Sequence, residues 1–285
     1  MPHQKRVAAI HDISGFGRCS LTVALPVLSA AGIETAIMPT AVLSTHTGGF
    51  TGYTYRDLTG DLRPFAQHWK SLKLKFDALY SGFLGSFEQL EIVGEIFDDF
   101  REQDNIILVD PVMADNGELY KIFSPEFALG MKKLCAKADI IIPNVTEASL
   151  LVGEPYRTGP YTREYISLLL KKLGDIGPRQ VVLTGTFFDE KQLGAAAYDR
   201  ETGGISYLLA DRIDGYYHGT GDVFGSALLA ALLNNFGLPQ AVEVAVGYTT
   251  ASIRRTFEAK TDIRFGVDFE NGIPQLIKTL NLLQP

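Results

Sequence analysis

The chain has few cysteines: Cys19 and Cys135 are the two among 285 residues, and they lie far apart without a metal-ligand spacing. That excludes a disulfide framework and suits a reducing compartment. No apolar run approaches the ~18 residues that a membrane-spanning helix needs. The first residues, Met1-Pro2-His3-Gln4-Lys5-Arg6, have no apolar signal core behind them, so a cytoplasmic protein is expected. No Pro/Ser-rich linker, charge block or internal repeat marks a boundary, and 1–285 reads as one domain. Positive charge is also scarce. A net charge of −7 argues against nucleic acid or an anionic membrane as the main partner. Any phosphate site must then be local, built from backbone N–H groups, a metal and a few cations. With 46% hydrophobic and 21% charged residues, the chain has the ordinary globular mixture and can bury a substantial core.

Short apolar runs alternate with longer stretches of helical period. Strands are expected at 7–10, 35–38, 78–80, 106–109, 140–142 and 181–183, with a hairpin pairing 195–198 and 205–209 around Thr202-Gly203-Gly204. Helices are expected near 18–31, 62–74, 86–102, 124–136 and 161–174, and then near 220–236, 238–257 and 269–282. The strand runs are continuously hydrophobic, the pattern of a parallel sheet covered on both faces. The predicted class is α/β with a mostly parallel central sheet.

Polar or small residues close several of these strands: Asp12, Ser81-Gly82, Asp110-Pro111, Pro143-Asn144 and Thr184-Gly185. In an open parallel sheet the carboxyl ends of the strands share one edge, where ligands bind, so these positions are expected to converge on one crevice. The run Gly219-Thr220-Gly221-Asp222 leads into the apolar stretch Val223–Leu233. Two glycines allow a turn tight enough to aim successive N–H groups into one volume at a helix's positive end, which makes an anion hole. A carboxylate there is out of place unless it acts on something beside the anion. Removing a proton from a hydroxyl while the hole stabilises a moving phosphoryl group fits that need. The alternative is a capped helix, with Thr220 or Asp222 satisfying the free N–H groups.

Asp110 and Glu147 are candidate metal residues. Mg²⁺ takes few carboxylates and keeps water and phosphate oxygens, and Asp110, Asn144 and Glu147 form such a sparse set. Asn144 and Glu147 also have the spacing of a capping box, and both roles can hold at once. Asp115, in Ala114-Asp115-Asn116-Gly117-Glu118, belongs to a turn-forming segment suited to a flap or to a solvated loop.

His46-Thr47-Gly48, Ser81-Gly82, Asp110-Pro111-Val112, Asn144-x-x-Glu147 and Gly219-Thr220-Gly221-Asp222 occur in the order and spacing of pyridoxal kinases. The chain resembles these members of the ribokinase-like superfamily from about residue 7 to 255. The resemblance implies a single three-layer α/β/α sandwich, usually a homodimer, that phosphorylates the 5′-hydroxymethyl group of pyridoxal, pyridoxine or pyridoxamine with ATP. It implies that Asp222 is the base and that Gly219, Thr220 and Gly221 supply the anion hole. Thr47 would contact the vitamer, and Phe83 would lie over its ring. Asp110, Asn144 and Glu147 would organise Mg²⁺ and the ATP phosphates. Thr184, with Gly185, would lie near the phosphates and any monovalent cation such as K⁺. Asp115 and Tyr120 would belong to a flap.

The chain departs from the family at Asp12, where many pyridoxal kinases carry serine; its carboxylate is a candidate contact for the ring nitrogen. Two other readings stay open. One is a hydroxymethylpyrimidine or sugar kinase of the same superfamily, and the other is a non-catalytic vitamer or nucleotide sensor. A sensor has no need of Asp222.

Overall fold

A computed structural model describes residues 3–282. The chain opens with β1 (Arg6–Ser14), α1 (Leu21–Ala30), β2 (Glu34–Leu43), β3 (Tyr55–Asp57), α2 (Thr59–Ser71) and β4 (Ala78–Ser81). It continues through α3 (Phe87–Phe100), β5 (Ile106–Val109), β6 (Ala114–Asp115), β7 (Glu118–Leu119), α4 (Pro125–Cys135), β8 (Ile140–Ile141) and α5 (Val145–Val152). The remainder is α6 (Arg163–Gly174), β9 (Gln180–Thr186), β10 (Gln192–Asp199), β11 (Gly204–Asp211), α7 (Thr220–Leu233), α8 (Leu238–Ala259) and α9 (Ile273–Thr279). The class is α/β, with a mostly parallel nine-stranded sheet, as the alternation of apolar runs and helical periods predicts. The chain gathers into two compact units, Met1–Leu79 with Ile213–Pro285, and Tyr80–Arg212.

In the first unit β1 and β2 run parallel, and β3 adds antiparallel to β2. Val7, Ala8, Ala9 and Ile10 are all fully buried, so β1 is covered on both faces, as its unbroken hydrophobicity requires. The β1–β2 register slips between His11 and Ile13. An irregularity of this kind bends a strand and re-aims the side chain it carries, and here that residue is Asp12. The apolar helix α7 is buried from Val223 to Ala231, which is why its sequence shows no polar face.

In the second unit β5, β8 and β9 are parallel neighbours, and Asp110 and Asn144 follow β5 and β8. Thr184 and Gly185 lie inside β9, which runs on past the expected strand end, and Thr184 bridges to Asn144. β10 and β11 complete an antiparallel border as the expected hairpin, with Gly203 at φ 70° in its turn.

Three further details differ from the sequence expectation. β3 is short and exposed, with no apolar run to announce it. The segment around Asp115 is a small hairpin, β6–β7, closed by Asn116 and Gly117 at φ 51° and 86°. Both φ values are positive, as a two-residue Asn-Gly turn demands, and that dipeptide was the available signal. The last helix starts only at Ile273, because Pro274 sits in its first turn, where proline is accepted.

Candidate active site

In the first unit the loop after β1 folds back so that Ser20 bridges to Ile13. Asp12 is 4% exposed, and its carboxylate accepts the Ser14 hydroxyl at 3.0 Å and the Ser20 hydroxyl at 2.5 Å. Burial pushes its pKa up, while the two hydroxyls and its own N–H pull it back. Asp222 stands in the first turn of α7. It keeps part of its surface, yet dense surroundings push its pKa up to about 7, and the nearby Asp12 charge adds to the rise. The Ser20 N–H, donating to its carboxylate, opposes that rise. A carboxylate with that proton affinity can take a proton near neutral pH.

Gly219 precedes α7 at φ 74°, and no side chain caps the helix start. The Thr220 hydroxyl turns away to the Tyr217 carbonyl at 3.3 Å and caps nothing, while the Asp222 carboxylate accepts its own N–H, one of the free groups of that turn. A Cβ on Gly219 would stand 1.9 Å from the Arg18 carbonyl oxygen. Gly219→Ala therefore meets a backbone clash as well as the roughly 1–2 kcal/mol cost of a left-handed non-glycine residue. We expect a lower Tm and a lower kcat together; an unchanged melting curve would show that the loop yields without cost.

His46 shapes the loop that presents Thr47. Its Nε2 is 2.6 Å from the Arg264 carbonyl, and its Nδ1 accepts the Gly48 N–H at 3.1 Å. A carbonyl only accepts, so the proton sits on Nε2 and the ring is neutral; burial lowers its pKa accordingly. Thr47 is exposed on this loop and available to a ligand. Phe16, Phe50 and Phe265 gather beside it, with Phe16 meeting Phe265 edge-on at 5.0 Å and His46 meeting Phe50 at 4.9 Å. Sequence reading did not single out this cluster, since its members come from three distant loops. Cys19 is an inert thiol: burial, then Asp222 and Asp12, push its pKa well above the ordinary value.

In the second unit Asn144 caps α5, accepting the Glu147 N–H at 2.9 Å, while Glu147 accepts the Asn144 N–H at 2.9 Å. The capping box is therefore present. The same two residues also reach the β6–β7 hairpin. Glu147 accepts the Met113 N–H at 3.0 Å and Asn144 donates to the Ala114 carbonyl at 2.8 Å. The Ala114 N–H also donates to the Glu147 carboxylate, and Thr146 accepts the Gly117 N–H at 3.0 Å. The hairpin carrying Asp115 is thus pinned to the start of α5, a role of Thr146 that sequence reading missed. Tyr120 follows the hairpin, exposed, with its N–H on the Met113 carbonyl at 2.9 Å. Asp110 is buried at the end of β5. Thr184 bonds the Pro143 carbonyl through both its N–H and its hydroxyl, and Gly185 follows at φ 71°. Phe83 leans on Phe123 at 5.9 Å, and Phe123 stacks on Phe127 at 3.9 Å.

Among the described residues no group of three or more His, Cys, Asp or Glu side chains is placed to hold a metal ion. Glu147, 3% exposed, has its carboxylate engaged by backbone N–H donors. Three N–H groups take most of its lone pairs, so Glu147 could act on a Mg²⁺ only through the ion's water shell, with phosphate oxygens and water as the direct ligands. No helix among the described residues is long and apolar enough to cross a membrane.

A family model described as phosphomethylpyrimidine kinase matches residues 28–265. The pyridoxine/pyridoxal/pyridoxamine kinase of Bordetella avium (strain 197N) is 28% identical over 262 residues, spanning 88% of this chain and 85% of its own. A Bacteroides thetaiotaomicron protein described as a phosphomethylpyrimidine kinase, solved in an orthorhombic form with pyridoxal, is 39% identical and matches with a TM-score of 0.92 over 96% of each chain. The pyridoxal kinase of Lactobacillus plantarum is 30% identical, with a TM-score of 0.89 over 99% of this chain and 100% of its own.

Proposed function

Because this chain belongs to the phosphomethylpyrimidine kinase family, and within it to the pyridoxal kinases, we propose that it moves the γ-phosphoryl group of ATP onto the 5′-hydroxymethyl group of pyridoxal, pyridoxine or pyridoxamine. The observation that carries this reading is Asp222, a carboxylate of raised proton affinity in the first turn of an uncapped helix behind Gly219-Thr220-Gly221. Asp222 takes the hydroxyl proton as the alkoxide oxygen bonds to the γ-phosphorus and the bond to the β-phosphate oxygen breaks, leaving ADP. The N–H groups of Gly219, Thr220 and Gly221 stabilise the charge on the moving group. Asp12, Thr47 and Phe83 bind the vitamer. Asp110, Asn144, Thr184 and Gly185 bind the nucleotide, with a monovalent cation such as K⁺ near Thr184. Asp115 and Tyr120 form a flap. Asp110 and Glu147 would hold Mg²⁺ through its water shell; when bound, the ion offsets the negative charge of the phosphates. Residues 1–285 act as one kinase domain, in a cytoplasmic homodimer.

A coupled ADP-release assay with the three vitamers and hydroxymethylpyrimidine, with and without Mg²⁺, tests the reading. Turnover is expected with the vitamers and only with Mg²⁺. The description of the family model names a phosphomethylpyrimidine, and a pyrimidine alcohol such as hydroxymethylpyrimidine is the second substrate class. Turnover with that compound alone would establish it, and turnover with none would leave a binding protein.

Asp12 provides a narrower test. Its oxygens already accept two hydroxyls and its own N–H, which leaves one of about four lone-pair sites for a pyridinium N–H. A charge-assisted bond of that kind is about twice as strong as a neutral one. Asp12→Ser is expected to raise KM for the vitamers, to leave KM for ATP nearly unchanged and to alter the pH dependence of vitamer binding. Identical vitamer KM values and pH profiles would mean that Asp12 does not meet the ring.

A further inference from the structure

We propose that Ser20 is a positioning residue for the base: Asp12 holds its hydroxyl so that its backbone N–H stays on the Asp222 carboxylate. This rests on the reading of Asp222 as the base.

Ser20 is 6% exposed and has φ 55° and ψ −130°, a conformation that side chains disfavour and glycine accepts. A serine ahead of a helix ordinarily turns its hydroxyl to cap the free N–H groups. Here no side-chain cap forms at α1, and the hydroxyl goes to Asp12 at 2.5 Å instead. The Ser20 carbonyl meanwhile accepts from Val23 at 3.0 Å and Ala24 at 2.9 Å, tying the following peptide group to the helix. The Ile13–Ser20 bridge and the register slip at Asp12 bring the two residues together. With its side chain held by Asp12 and its carbonyl by α1, the strained residue keeps its N–H on Asp222. Strain retained in this way at a reacting group is what a fixed orientation of the base requires.

Two opposed influences then act on Asp222. The Ser20 N–H favours its ionised form and the Asp12 charge disfavours it. Cys19 also faces Asp222, while Cys19, His46 and Tyr55 face Asp12. Removing either influence should shift the acid limb of the kcat profile, in opposite directions.

The test measures kcat against pH at saturating vitamer and MgATP, with Tm and vitamer KM recorded, for the parent, Ser20→Ala, Ser20→Gly, Asp12→Asn and Asp222→Asn. Ser20→Ala frees the peptide, so kcat at pH 7 should fall about 10- to 100-fold and the acid limb should move to higher pH. Ser20→Gly accepts the conformation without strain but also lacks the hydroxyl, so its acid limb should move with that of Ser20→Ala. A parental rate and limb in Ser20→Gly would mean that the conformation alone places the N–H, and overturns the proposal. Asp12→Asn retains an acceptor for the hydroxyl but removes the charge, so the limb should move to lower pH. A structural role alone would lower Tm and leave both limbs where they are; that result overturns the proposal. If Ser20→Ala does not fold, Ser20→Gly, which lacks the same hydroxyl, takes its place, and an unmoved limb there overturns the proposal equally. An Asp222→Asn variant that keeps its rate sinks the base and the positioning role together. An inactive Asp222→Asn with unmoved limbs elsewhere sinks the positioning role alone.

Discussion

Replacing Asp222 with asparagine is expected to lower kcat by about 10²–10⁴-fold, the usual contribution of a positioned base. ATP and pyridoxal should still bind within a few-fold, because asparagine keeps the size of the side chain and an oxygen for the Ser20 N–H. The parent should show the matching pH dependence. With the Asp222 pKa pushed up to about 7, kcat should climb through that pH and level off above it as the carboxylate ionises. The stability effect has a definite sign. The folded pKa lies above the unfolded value of 3.8, so the folded state binds the proton more tightly and loses stability as pH rises from about 4 through about 7. Each unit of that displacement is worth about 1.4 kcal/mol before solvent screening. Asp222→Asn removes the buried charge, so its Tm should exceed the parent's at pH 8 and converge with it at pH 4. A variant retaining more than roughly half its rate would reduce Asp222 to a helix-end carboxylate.

Glu147→Gln should produce the largest loss of stability. Its carboxylate accepts N–H groups from Asn144, Met113 and Ala114 in a site that is 3% exposed. Glutamine offers one acceptor oxygen, and its NH₂ would face a backbone N–H. A buried donor left without an acceptor costs about 1–3 kcal/mol. The Tm should fall, and amide exchange should quicken across Met113–Leu119, the hairpin that Glu147 anchors. The proposed Mg²⁺ role adds a separate signature, a higher Mg²⁺ requirement for turnover. If stability falls and the Mg²⁺ requirement stays put, Glu147 serves the capping box and the hairpin without serving the metal.

The alternation of apolar runs and helical periods was legible because central strands such as β1, β4 and β5 are buried on both faces and amphipathic helices cover them. Strands such as Ile106–Val109 need no partner information to be recognised. Strand β3 escaped notice because Tyr55, Arg56 and Asp57 are all exposed, and pairing with β2 alone makes them a strand. The hairpin at Asn116-Gly117 was in the sequence as a turn signal, but its two-residue strands are too short for periodicity.

The residue types at the candidate site came from local patterns: glycines for a tight turn, a carboxylate beside them, a capping-box spacing. By itself the sequence determined the α/β class, the helix end at Gly219–Asp222 and the Asn144–Glu147 pair, because each depends on neighbours within one turn of chain. Only the tertiary structure decided where the carboxylates turn. Ser20 carries no signal in the sequence, where the helical period runs from about 18; the Ile13–Ser20 bridge sets its hydroxyl on Asp12. The raised proton affinity of Asp222 likewise comes from burial and from a charge 210 positions away in the chain, at Asp12. Desolvation and charge–charge coupling depend on distance through space, and residue spacing along the chain does not encode that distance.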